Sequence, residues 1–168
     1  MILADSLADI LVLAAAAMLA ALTFIDARTM ILPDRLVFLY GLLGIAFHVA
    51  THFAFLTPLN LLLGAVTGGG MLAIVRWAGS HHYGQEAMGL GDVKLLIAGG
   101  VWLGAMGAVW AITLGAGLTV LFAFAYATVA RIQSGKFPDL QRLEVPAGPG
   151  FCVALFILML CMINGVTL

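Results

Sequence analysis

Two aspartates of this 168-residue chain stand where an apolar run of sequence meets a polar one. Asp26 follows the first apolar run, and Asp92 lies between a Gly-Leu-Gly step and the start of the fourth. Two carboxyl groups that face each other across two helices cannot both ionise cheaply, so their pKa values separate and one of them keeps a proton. Such a pair supplies the acid and the base that hydrolysis of a peptide bond needs.

Each acid in these segments also has a structural interpretation. Asp26 can pair with the nearby Arg28, and Asp92 can cap the helix that follows it. Asp34, which follows Pro33, looks like the cap of the second helix. The glycines on either side of Leu90 nevertheless favour chemistry at Asp92, because a plain helix cap does not need two residues that allow unusual backbone conformations and close approach.

The expected helix ends predict which aspartate keeps the shared proton. Asp26 lies at the C-terminal end of its helix, where the helix dipole disfavours an anion. Asp92 lies at the N-terminal end of its helix, where the dipole favours one. We therefore predict that Asp26 carries the shared proton in the resting enzyme and that Asp92 carries the charge.

The amino-acid composition indicates the environment in which Asp26 and Asp92 lie. The chain is 64% hydrophobic and 9% charged, whereas soluble domains are about 45–50% apolar and about 25% charged. This excludes a soluble enzyme, a nucleic-acid binder and a disordered chain. We predict a single all-α membrane domain over residues 1–168. Ionisable groups at the depth of a membrane surface are expensive, which favours a functional role for them.

Six apolar segments predict six transmembrane helices. A helix needs about 20 apolar residues to cross a bilayer, and the run from 93 to 129 is far too long for one crossing, so we divide it at the glycines between 104 and 107. The predicted spans are residues 7–25, 36–55, 59–78, 93 to the glycine break, 108–129 and 151–163.

The basic residues predict the orientation. With six spans, all seven Lys and Arg residues fall in three loops on one face, and the opposite face has none. The positive-inside rule places these loops in the cytoplasm and both termini outside. Both aspartates then lie on the cytoplasmic side.

The segments around both aspartates resemble the motifs of the prepilin peptidases, which are membrane aspartyl proteases with a GxGD motif. Residues 25–34, IDARTMILPD, look like the first motif, an aspartate followed by a Pro-Asp step. Residues 86–96, EAMGLGDVKLL, look like the second, a GxGDxK segment. Residues 146–149, PAGP, are similar to a third and weaker segment.

The resemblance implies that Asp26 and Asp92 are the catalytic pair, with no metal and no other cofactor. It implies prepilin or pseudopilin substrates, whose short basic leader is removed on the cytoplasmic face of the bacterial inner membrane while the following apolar helix stays in lipid. Long bifunctional relatives have an extra N-terminal segment linked to N-methylation, and we expect a stand-alone peptidase here. Residues expected to support the motifs or contact substrate are Gly89, Gly91, Lys94, Glu86, Pro33 and Asp34.

Several roles stay open at this stage. Lys94 either contacts substrate or extends to the lipid interface, and Glu86 either binds the basic leader or is a solvated loop residue. His48 and His52 are expected at the outer membrane interface rather than in a proton relay. Two other functional classes compete with the peptidase: a small proton-coupled transporter or channel, and an inactive scaffold for pilus assembly. The particular pilin, the choice between pilus and secretion system, and the oligomeric state are not indicated.

Overall fold

A computed structural model of the protein describes residues 2–83, 89–134 and 146–165, and the regular structure within these ranges is helical. The predicted all-α class is therefore confirmed. The five helices are α1 (Ile2–Thr29), α2 (Asp34–Ala50), α3 (Pro58–Tyr83), α4 (Leu90–Ser134) and α5 (Gly148–Ile163).

Three of these helices are long and apolar enough to cross a membrane. The crossing segments lie within α1, α3 and α4, and α5 is a shorter apolar helix. The number of crossings and their orientation stay predictions. The three long segments are Ser6–Thr29, Pro58–His82 and Leu90–Val129.

Helix α4 is interrupted at Gly104, inside the stretch where the sequence predicted a break. The backbone there has φ 70° and ψ −175°, a conformation that glycine adopts readily and other residues resist. The break divides α4 into a first arm, residues 90–103, and a second arm, residues 105–134.

The two arms of α4 run in opposite directions. Gly99 of the first arm packs against Leu155 of α5, and Gly115 of the second arm packs against Phe151, four residues earlier in α5. If α4 were one continuous helix, Gly115 would lie about 24 Å further along the helix axis than Gly99. Because both glycines instead contact neighbouring turns of α5, the second arm folds back beside the first.

Glycines allow α3 to lie close to α4. Gly64 and Gly100 touch through their backbones, and a Cβ at either position would overlap the other residue. Gly68, one turn along α3, lies against the carbonyl oxygen of Leu96. Small residues let helix backbones approach closely within a membrane bundle, and these contacts are of that kind.

Side chains bind the backbone groups that are free near the break. His48 donates through Nε2 to the carbonyl oxygen of Trp102 at 3.1 Å, and Asn60 accepts from the amide of Ala105 at 3.1 Å. The indole of Trp102 donates to the carbonyl oxygen of Tyr40 at 2.9 Å. His48 is fully buried, and its expected depth at the outer membrane interface stays a prediction. We call these five residues the break cluster.

The helix packing gathers four helix termini at the other end of the bundle. Helix α1 packs against α2 and α5, and α4 packs against α2, α3 and α5. Within the described ranges, α1 and α4 share no backbone contact. The C-terminus of α1 and the N-termini of α2, α4 and α5 therefore surround the space between the two aspartates.

Candidate active site

Asp26 and Asp92 are both buried at this end of the bundle, with 5% and 7% of their surface exposed. They come from α1 and α4, and their carboxyl groups are within Coulombic range of each other. Both are also within Coulombic range of the Cys152 thiol on α5. The structure thus brings together the two acids that the sequence singled out, although their helices share no backbone contact within the described ranges.

Helix α5 supplies a hydrogen-bond donor to Asp26. The backbone amide of Gly148 donates to Oδ2 of Asp26 at 3.1 Å, across 122 residues of sequence. Ala147, the residue before α5, provides no side-chain cap. The Asp26 carboxyl group therefore caps α5 from another helix. The pairing of Asp26 with Arg28 is not formed, because the Arg28 guanidinium lies over the ring of Phe24, 4.1 Å from its centroid.

There is no space for a side chain at Gly148. A Cβ placed there would lie 2.5 Å from Oδ2 and 2.7 Å from Cγ of Asp26. Real side chains do not approach so closely, so glycine is required for this amide to reach the carboxyl group.

The second arm of α4 fixes the start of α5. Thr119 donates to the carbonyl oxygens of Gly115, at 2.9 Å, and Ala147, at 3.2 Å. Gly150 lies directly against the Thr119 hydroxyl. These contacts hold the α5 N-terminus in one position relative to α4.

Asp92 lies in the first turn of α4, which begins at Leu90, so the interpretation of Asp92 as the helix cap is not supported. A Cβ at Gly91 would lie 2.9 Å from Cβ of Leu32, which shows why a glycine stands before Asp92. Neither Gly89 nor Gly91 has a positive φ. The two glycines were expected to allow either an unusual backbone conformation or close approach. The structure shows close approach, and it shows it at Gly91.

Lys94 binds Asp34 rather than Asp92. Its Nζ lies 2.7 Å from both carboxylate oxygens of Asp34, and both side chains are substantially exposed, at 46% and 68%. The predicted cap role of Asp34 is wrong: Pro33 occupies the cap position and Asp34 is the first residue of α2. The ion pair ties α2 to α4 two residues beyond Asp92.

An apolar groove with a volume of about 430 Å³ lies between α2 and the first arm of α4. Its charged end is formed by Asp34 and Lys94. The apolar lining consists of Val37, Phe38, Gly41, Leu42, Ile45, Ile97, Ala98 and Val101.

One predicted site residue is not among those that the structure describes, and some residues near the acids were not predicted. Glu86 lies outside the described residues. Gly148 belongs to the PAGP segment. This segment was noted for its similarity to a third family motif, but no role was predicted for its residues. Cys152 also lies near both acids, and nothing in its spacing in the sequence signals that position. In the ranges that the structure describes, no three His, Cys, Asp or Glu side chains form a candidate metal site.

Comparison with known proteins gives one family match. Residues 13–132 match the type IV leader peptidase family. Three proteins named prepilin leader peptidase/N-methyltransferase are similar: 40% identical in Pectobacterium carotovorum subsp. carotovorum, 46% in Dickeya chrysanthemi and 37% in Escherichia coli strain K12. The matches cover 49%, 50% and 49% of this chain but 29%, 29% and 36% of those proteins. No solved structure matches.

Proposed function

Because this chain belongs to the type IV leader peptidase family, we propose that it is a membrane aspartyl endopeptidase that removes the leader of prepilins or pseudopilins. Asp26 and Asp92 are the catalytic pair. The observation that supports this most is their burial near each other without a basic partner among the described residues, whereas the exposed Asp34 has one in Lys94. Buried carboxyl groups without cations destabilise a fold, and such groups concentrate at functional sites.

The same proposal includes six membrane crossings, with the acids on the cytoplasmic side of the inner membrane. The folded-back arms of α4 support it, since they make two antiparallel segments from one helix. The basic residues of the described helices also support it. Arg28, Arg35 and Lys94 all lie at the helix termini that surround the acids.

The chemistry proceeds through one water molecule between the two carboxyl groups. The ionised carboxylate takes a proton from the water, whose oxygen attacks the carbonyl carbon of the scissile peptide bond. The protonated carboxyl group donates its proton to the carbonyl oxygen. When the tetrahedral intermediate collapses, the C–N bond breaks and the first carboxyl group passes its proton to the leaving nitrogen. The second carboxyl group recovers its proton from the former carbonyl oxygen, so both groups return to their starting states.

The groove is where we place the apolar helix of the substrate. Its lining is apolar apart from its charged end, and Phe38 on its wall is 68% exposed, which suits a surface in contact with the bilayer. The charged end lies two residues from Asp92. A helix in this groove stays in lipid while the peptide bond that precedes it reaches the acids.

A co-expression experiment tests the proposal. The full chain is expressed with a prepilin, and leader removal is followed by the change in pilin mobility on a gel. Cleavage by the unchanged chain and its loss in both Asp26→Asn and Asp92→Asn, each still present in the membrane fraction, are expected. Asp9→Asn, an exposed acid far from the site on α1, is the matched control and retains cleavage. Cleavage that persists in either site variant contradicts the proposal.

Two rival functions predict other results in the same experiment. A transporter or channel and an inactive assembly scaffold both leave the prepilin uncut. The transporter also needs polar groups along several helices. Among the described residues, the buried polar or charged side chains are Asp26, Asp92 and His48, and His48 binds the backbone at the helix break.

A further inference from the structure

We propose that Gly148 is a positioning residue whose backbone amide keeps Asp26 ionised, so that Asp26 is the base and Asp92 is the acid of the pair. The inference rests on the proposed peptidase function, which needs one carboxyl group in each state. It reverses the assignment that the dipoles of α1 and α4 alone predict, because the N-terminus of α5 was not considered there.

The first support is the contact itself. An amide N–H that donates to a carboxyl oxygen favours the ionised form, and a hydrogen bond to a charged acceptor is stronger than one to a neutral acceptor. The donor belongs to the N-terminus of α5, whose aligned peptide dipoles also attract an anion. Asp26 is buried, so little water screens this interaction.

The second support is the contrast with Asp92. It also lies near a helix N-terminus, in the first turn of α4. However, its carboxyl group accepts no hydrogen bond from any residue that the structure describes, whereas Asp26 accepts one from Gly148. A direct hydrogen bond outweighs a diffuse dipole, and repulsion between the two carboxyl groups then keeps the proton on Asp92.

The other charged or titratable groups at this end do not reverse the preference. The Arg28 guanidinium is engaged with Phe24, and the neutral Cys152 thiol lies near both acids. Helix α2 contributes Asp34, which is paired with Lys94, and Arg35, which is exposed.

The third support is that the amide is held in place. Thr119 binds the carbonyl group of Ala147, directly before Gly148, and Gly150 packs against the same threonine. Because a Cβ at Gly148 would overlap the Asp26 carboxyl group, replacing Gly148 separates the amide from its acceptor.

With Asp26 ionised and Asp92 protonated, each proton transfer in the reaction has a defined donor and acceptor. The Asp26 carboxylate removes a proton from water as the new C–O bond forms, and Asp92 gives its proton to the carbonyl oxygen. When the C–N bond breaks, the proton on Asp26 passes to the leaving nitrogen, and Asp92 recovers its proton from the former carbonyl oxygen. No oxidant, reductant or other reactant is needed.

The test compares Gly148→Ala with two glycine controls in the purified full chain acting on a prepilin in lipid. At Gly70 and Gly117 an added Cβ meets nothing within 4 Å, so Gly70→Ala and Gly117→Ala retain wild-type kinetics. Gly148→Ala is expected to lose about 100-fold in kcat, a loss typical of impaired acid–base catalysis, with KM nearly unchanged. Its remaining activity is lost on acidification at a higher pH than in the wild type, because Asp26 ionises less readily without the amide. A wild-type kcat and pH profile in Gly148→Ala overturns the inference.

Infrared difference spectroscopy gives a result even if Gly148→Ala does not fold or the chain cuts no prepilin. The C=O stretch of a protonated carboxyl group is recorded at neutral pH in the wild type, Asp26→Asn and Asp92→Asn. Loss of this band in Asp92→Asn and its retention in Asp26→Asn support the inference. The opposite pattern overturns it. Absence of cleavage by the wild type would instead contradict the proposed function.

Discussion

At the helix break, polar side chains bind backbone groups, whereas at the other end of the bundle two buried carboxyl groups lie within Coulombic range of each other. His48 and Asn60 bind backbone groups on the two sides of Gly104. Asp26 has one backbone donor, and Asp92 has none in the described ranges. Both regions join segments that are distant in sequence, but they do so with different chemistry.

The contrast between the two regions indicates how polar groups that stabilise a membrane bundle can be distinguished from polar groups that take part in catalysis. Neutral side chains that bind free backbone groups stabilise the fold, because an unpaired buried amide or carbonyl is costly. Buried carboxyl groups that lie near each other cost stability, and such groups concentrate at functional sites. We therefore expect changes in the two regions to have opposite effects on stability and activity.

The largest expected effect is on activity at the acids. Asp92→Asn should reduce kcat by at least about 10³-fold, because it removes one member of the acid–base pair, while thermal stability stays equal or rises as a buried ionisable group is lost. Cleavage kinetics and thermal unfolding in the same lipid preparation check this. A large loss of stability would mean that Asp92 is structural, and would remove the contrast with the break cluster.

Changes at the break should act on stability. Gly104→Ala forces a side chain into a positive φ and places a Cβ about 3.0 Å from Asn60, so a loss of about 1–3 kcal/mol is expected. Asn60→Ala leaves the Ala105 amide unpaired and should lose a similar amount. Thermal unfolding measures both, with Gly70→Ala as the control. In the folded fraction, kcat should remain within a few-fold of wild type. Loss of activity in a folded variant would show that the break is needed for catalysis.

A smaller effect is expected in the groove. Leu42→Trp fills part of the groove and should raise KM for a full prepilin about tenfold, which corresponds to about 1.4 kcal/mol. A short peptide that spans the cut site without the apolar helix should be unaffected. Val66→Trp, at an exposed position on α3, is the matched control. If both substrates respond alike to Leu42→Trp, the groove does not bind the substrate helix.

The smallest effect is expected at the ion pair of Lys94 and Asp34. Exposed pairs contribute about 0–1 kcal/mol, so Lys94→Met and Asp34→Asn should each change stability by less than that. Thermal unfolding at low and high salt checks this. Cleavage kinetics then address the open role of Lys94: a KM effect in Lys94→Met that Asp34→Asn does not share would show that the lysine contacts substrate.

The sequence predicted the local features well because length, apolar runs and glycines act locally. It predicted a helix break within 104–107, and the break is present at Gly104. It did not predict that His48 binds the backbone at the break, because the lipid and the protein core are equally apolar, so hydropathy alone does not distinguish a helix face that packs against protein from one that faces lipid.

Partners across the bundle could not be predicted from sequence spacing. Lys94 and Asp34 are 60 residues apart, and Gly148 and Asp26 are 122 residues apart. Which helix terminus meets which side chain depends on the packing of all the helices together. For this reason the motifs in the sequence pointed to both acids, but the position of the shared proton was predicted from the dipoles of α1 and α4. The α5 amide that binds Asp26 could not be included in that prediction.

The kinetics of a double variant test most directly whether Asp26 and Asp92 act as one catalytic unit. Cleavage of a prepilin by the purified chain is measured for Asp26→Asn, Asp92→Asn and the two together. Residues that act as a unit show strongly non-additive losses, so the double variant should be no slower than the slower single variant. Losses that multiply, or either single variant with wild-type kcat, would contradict a shared acid–base pair.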